Sequence, residues 1–188
     1  MISIRERGKI GVGLFILSEA NFFLLLIVAY VYYHAYPGSG PTAASALNVG
    51  RTAAFSIALF ASSATIFMAS RAARRGNDAG LVTWLAITIA LGAFFILGQV
   101  KEYYDLIEGG VGVSRNLFAT TFFTLTGFHG LHVIIGLIAL SITLALAVGG
   151  KLHAEKRDGF GAVEWYWHFV DAVWVVVFSV VYLWSAAS

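Results

Sequence analysis

A chain of 188 residues that is 59 % hydrophobic and only 12 % charged stands far from a water-soluble domain, in which about a quarter of residues carry charge. Its mean hydropathy of +0.82 assigns it to the membrane class before any motif is read. The lack of cysteine excludes disulfides, thiolate metal sites and cysteine catalysis, and a net charge of +2 on so apolar a chain reflects where its loops sit rather than a nucleic-acid partner.

A bilayer core about 30 Å thick takes about 20 residues of apolar helix, and five stretches meet that length. The first, residues 11–33, follows Arg5, Arg7 and Lys9. A basic head before an apolar run imitates a signal peptide, but the run is too long and lacks a small-residue cleavage site, so it reads as a retained span. Pro37 to Asn48, rich in Gly, Ser, Ala and Pro, reads as a loop. The second span, 51–70, carries Ala58, Ser62 and Thr65 at helical spacing, where small side chains let helix backbones approach. A third span covers 80–101. The fourth, 117–148, is too long for one simple crossing, which predicts a tilted or interfacial turn around Asn116 to Thr124; within it Gly127, Gly130 and Gly136 form a second small-residue stripe. Val148 to Gly161 is a charged connector, and 163–186 is the last span. No loop has room for a soluble domain, so the expectation is an all-α integral membrane bundle of five helices, one domain over 1–188.

Lys and Arg collect on the cytoplasmic side of membrane proteins. Arg5, Arg7 and Lys9, then Arg71, Arg74 and Arg75, then Lys151, Lys156 and Arg157 fall on one side; Arg51, Lys101 and Arg115 fall on the other. That imbalance predicts the N-terminus inside and the C-terminus outside, which requires an odd number of spans. Tyr30, Tyr32, Tyr33, Tyr103, Tyr104, Trp165 and Trp184 lie near span ends, as interfacial aromatics do.

Ionisable groups within hydrocarbon cost about 2.5–3.5 kcal/mol each on insertion scales, so those present face a bundle interior or a wet cavity. Glu19 lies roughly 13 Å into the first span at 1.5 Å per residue, beyond easy reach of the surface; gluing helices together and handling protons are both open to it. Glu164, His168 and Asp171 share one face of the last helix by their spacing of four and three. Their depth suggests an inner polar layer of Glu19, His168 and Asp171. His129 and His132 share a face of the fourth span, and Gln99 and Glu102 a face of the third, which suggests an outer layer of these four. Metal ligation by the histidines is disfavoured, because neither the HExxH of helical zinc sites nor the Glu-x-x-His of di-iron bundles occurs. No phosphate-binding loop or nucleophile elbow is present either.

Together these motifs resemble subunit III of the heme-copper oxidases. GLFILSEANFF at 13–23 is similar to the glutamate-bearing helix of that family, GQVKEYY at 98–104 to its Gln and Glu-Tyr signature, and GFHGLHVIIG at 127–136 and WYWHFVDAVW at 165–174 are the most specific matches. The resemblance implies a subunit of a proton-pumping respiratory oxidase that packs beside subunit I, and near subunit II and small subunits. It also implies that heme and copper lie in those partners, while this chain binds structural phospholipid and supports proton uptake and protection from turnover inactivation. By the same resemblance Glu19 is the membrane-embedded acid; Gln99, Glu102, His129, His132, Glu164, His168 and Asp171 are polar helix or lipid contacts; and no residue is catalytic or metal-binding. Longer family members have seven helices, and this chain begins at what would be their third, which puts their lipid-filled cleft in doubt. The expected location is a bacterial inner membrane. Cytochrome c is the favoured electron donor and a quinol the alternative; a stand-alone proton-coupled transporter is the reading from a different class, and it predicts an internal repeat that the sequence lacks.

Overall fold

The computed structural model describes residues 4–36, 39–150 and 157–185. Its helices are α1 (Ile4–His34), a single-turn α2 (Ala43–Ala46), α3 (Val49–Arg74), α4 (Asp78–Glu108), α5 (Leu117–Val148) and α6 (Arg157–Phe178), the last continuing through a π-helical segment, Ser179–Trp184. No strand occurs among the described residues. Five helices are long and apolar enough to cross a membrane. Two of the basic residues counted above, Lys151 and Lys156, lie outside the described residues.

Local sequence marks where these helices begin. Asn48, Asn77 and Asn116 each turn a side-chain oxygen onto a backbone N–H three residues on, at 3.0, 2.9 and 2.9 Å, satisfying one of the donors that a helix start leaves orphaned. Because Asn116 caps α5 directly, the fourth span is one unbroken helix of 32 residues, Asn116 to Thr124 forming its cap and first turns. Stops are equally local. Gly76 and Gly110, with φ of 71° and 79°, take the left-handed conformation that reverses the chain after α3 and α4.

Helices α3, α4 and α5 pack as successive antiparallel neighbours, and α6 lies against α3 and α5. Two buried tryptophans, two turns apart, key α6 into place. Trp167 donates its indole N–H to Ser62 Oγ at 2.9 Å and Trp174 to Ser56 Oγ at 2.8 Å, so the polar end of each ring is satisfied where its apolar body is buried. The Trp167 ring fills a slot between Gly92 of α4 and Gly136 of α5, where a Cβ on either glycine would come within 2.8 Å of it. Helix α1 packs on α5 and α6 and leaves Leu14, Leu17, Leu24 and Leu25 more than half exposed. Such a face suits acyl chains or another subunit, not water.

Candidate functional site

Three polar seams run between the helices. On the α1/α5 seam, His132 Nε2 lies 3.1 Å from Glu19 Oε2. The other ring nitrogen, Nδ1, lies 2.7 Å from the Phe128 carbonyl, which can only accept, so Nδ1 carries a hydrogen and donates it. The Nε2–Oε2 contact therefore needs a proton of its own, on the carboxyl or on the ring. In either case the pair holds one proton and is neutral as a unit, the form that hydrocarbon tolerates. Tyr166 of α6 braces this turn by donating its hydroxyl to the His132 carbonyl at 3.1 Å. The pair opens onto a groove of about 440 Å³ lined by Ser18, Glu19, Phe22, Phe128, Leu131 and His132, and the Glu19 side chain retains 22 % exposure.

The α3/α6 seam is built on serine. Ser63 Oγ donates to Asp171 Oδ2 and lies 3.0 Å from His168 Nδ1; with its own hydrogen committed to the carboxylate, the hydroxyl accepts from the ring. Two turns along α3, Ser70 donates to Glu164 Oε2 at 2.7 Å and accepts from Arg74 at 2.7 Å. This Ser, His and Asp set is not a hydrolytic triad, since serine rather than histidine occupies the middle position.

The third seam lies towards the opposite end of α3 and α4. Glu102 is buried and takes a hydrogen bond from Thr52 on Oε1 at 2.8 Å, and from Tyr182 and Gln99 on Oε2 at 2.6 and 3.2 Å. The π-helical segment places Tyr182 there: Ser185 closes it with a 2.7 Å bond back to the Val180 carbonyl and lies 3.0 Å from the Tyr30 hydroxyl of α1. Nearer the helix ends, Arg51 and Lys101 both converge on Asp105.

His129 stands apart from all three. It is fully buried and stacks on Trp174 at 4.8 Å, with Phe95 and Phe23 set edgewise against it; neither ring nitrogen finds a hydrogen-bond partner among the described residues.

The two layers expected from depth are thus not the arrangement formed. Glu19 meets His132, not His168 or Asp171; those two meet Ser63; and of the expected outer four only Gln99 and Glu102 bond each other. The Glu19–His132 bond joins a residue expected in the inner layer to one expected in the outer, so counting residues along each span does not fix which polar groups meet; rotation about each helix axis also decides it. Sequence reasoning passed over Thr52, Ser63, Ser70 and Tyr182. A signal for two of them was present: Ser63 and Ser70 continue a seven-residue recurrence from Ser56 along α3, a hydroxyl stripe on the face that meets α6. Among the described residues no cluster of three or more metal-ligating side chains occurs.

The bundle and its seams define a polytopic membrane protein whose ionisable groups are used between its own helices. The family model for cytochrome c oxidase subunit III matches residues 2–186, and the chain belongs to that family. It is 41 % identical to the cytochrome c oxidase subunit 3 of Synechocystis sp. over 92 % of this chain and 74 % of the relative. With the probable cytochrome c oxidase subunit 3 of Mycobacterium leprae it shares 38 % over 93 % and 86 %. With the cytochrome bo(3) ubiquinol oxidase subunit 3 of Pseudomonas aeruginosa it shares 32 % over 94 % and 84 %. It is a subunit III of a respiratory terminal oxidase and a multi-pass protein of the bacterial plasma membrane.

Proposed function

We propose that this chain serves a cytochrome c oxidase as a helper subunit that holds no heme or copper itself, packing beside subunit I and supporting its stability, lipid contacts and proton uptake. The observation that carries this reading is the fate of the acids. Glu19, Glu102, Asp105, Glu164 and Asp171 are each bonded by a side chain of another helix, so they hold the bundle together rather than surround a redox centre. Glu19 and His132, sharing one proton beside an apolar groove, are the pair best suited to act in proton uptake, and the walls of that groove suit a phospholipid chain. Cytochrome c is favoured as donor because the Synechocystis and Mycobacterium relatives named for it stand at 41 and 38 % identity, against 32 % for the ubiquinol oxidase relative. The count of basic residues supports an N-terminus in the cytoplasm.

Purifying the complex from its native membrane tests the reading. Heme and copper should co-purify in other subunits, and oxygen uptake should be driven by reduced cytochrome c. Uptake driven by quinol alone would move the chain to the quinol oxidases, and a preparation without heme would overturn the assignment of its role.

A further inference from the structure

Three buried side-chain atoms between α4, α5 and α6 lack partners among the described residues: Oε1 of Gln99 and both ring nitrogens of His129. Both side chains are more than nine-tenths buried. Gln99 has committed its amide nitrogen to Glu102, so its oxygen necessarily faces elsewhere. A neutral imidazole presents one donor and one acceptor in the ring plane. The Trp174 ring lies nearly parallel to that plane, at 25°, and takes neither.

The helix register brings Gln99 of α4 level with Gly130 of α5, the residue after His129. Tyr103 of α4 bonds Thr126 of α5 at 2.7 Å, and a Cβ on Gly92 of α4 would touch Leu137 of α5. Each step along α4 is therefore matched by one step back along α5, and Gln99 comes level with Gly130. Gly130 lies one turn beyond Thr126, one turn before Val133 and two before Leu137, on the face that meets α4. It is buried, yet a Cβ built on it would meet nothing within 4 Å outside its chain neighbours. At Gly92 and Gly136, by contrast, the Trp167 ring fills that space. His129 immediately precedes this open point, and its ring packs against Phe95, one turn before Gln99.

We propose that a water molecule is bound between α4 and α5 beside Gly130, donating to Gln99 Oε1 and hydrogen-bonded to a ring nitrogen of His129. The site meets the two conditions for internal water: polar partners with no other bond to make, and space that no side chain claims. Through Gln99 the water joins His129 to the carboxylate of Glu102 and so to Thr52 and Tyr182, making one hydrogen-bonded unit that ties α3, α4, α5 and α6 together. Glycine at 130 is then required because a methyl group there would displace the ligand.

The test uses the intact complex as purified from membranes, so its outcome is independent of which electron donor that complex uses. Electron cryomicroscopy at a resolution that shows ordered solvent should reveal a density peak within hydrogen-bond distance of both Gln99 Oε1 and a His129 nitrogen. A dry gap there overturns the proposal. The second measurement is the melting temperature of Gly130→Ala. Alanine is the better helix former, so a dry space predicts an unchanged or higher Tm and a wet one a Tm lowered by several degrees. A rise would also overturn the proposal. His129→Phe, which keeps the aromatic packing and removes both nitrogens, should abolish the density peak; its persistence would exclude His129 from the site.

Discussion

Replacing Glu19 by Leu removes the partner that His132 Nε2 has among the described residues while leaving the Nδ1 bond to the Phe128 carbonyl at 2.7 Å intact. The ring then keeps an unsatisfied nitrogen on the wall of a groove lined by Phe22, Phe128 and Leu131. Interhelical hydrogen bonds in membrane proteins contribute about 0.6–1.7 kcal/mol, equivalent to about a 3- to 16-fold change in the folded-state equilibrium at 1.4 kcal/mol per tenfold. Glu19→Gln behaves differently, because an amide N–H can donate to Nε2 and preserve the bond while removing the acid proton. A double-mutant cycle of Glu19→Leu with His132→Phe, read from thermal unfolding of the purified complex, should return a coupling energy of about 0.6–1.7 kcal/mol. Glu19→Gln should melt close to wild type, assemble normally and shorten the active lifetime of the oxidase. Equal stabilities for Leu and Gln at this position, or strict additivity in the cycle, would refute the shared-proton bond. Unchanged lifetime and proton pumping in Glu19→Gln would remove the functional half of the argument.

Gly136→Ala should destabilise the bundle: the new methyl would approach the Trp167 ring to 2.8 Å, and the ring is pinned by Gly92 opposite and by its bond to Ser62. Overpacking costs about 1–3 kcal/mol against up to about 1 kcal/mol gained from helix propensity; Gly11→Ala, with nothing within 4 Å, is the control that should not lower Tm. Tyr182→Phe deletes the 2.6 Å donor to Glu102 and should cost about 1–2 kcal/mol, measurable in the same melts; no loss would mean that the carboxylate does not depend on the π-helical segment. Since the chain has no cysteine of its own, single cysteines at Ser114 and at Arg75 report topology: a membrane-impermeant maleimide added to intact cells should label Ser114→Cys and spare Arg75→Cys, and the reverse pattern would invert the orientation.

Much of this architecture was legible before any coordinates. Spans announce themselves because hydrocarbon accepts only helices that satisfy their own backbone. Glu19, Glu102 and Asp171 stood out for a related reason: an acid at membrane depth is costly enough to be noticed without knowing its neighbour. Thr52 did not stand out, because a hydroxyl can bond its own helix, as Thr52 itself does to the Asn48 carbonyl, and so gives no sign that it also serves another.

What the linear order determined was therefore which stretches are long enough to span and how residues are spaced along each helix, since each helical residue advances a fixed 1.5 Å. Position around each helix axis, and hence the choice of partner, was decided by packing. Once Trp167 seats between Gly92 and Gly136, the rotation of α6 is set, and His168 and Asp171 turn towards Ser63 of α3 while Tyr166 turns towards His132 of α5. Glu19 is left to pair across the α1/α5 seam. That choice depends on contacts among four helices distant in sequence, and no periodicity within a single helix encodes it.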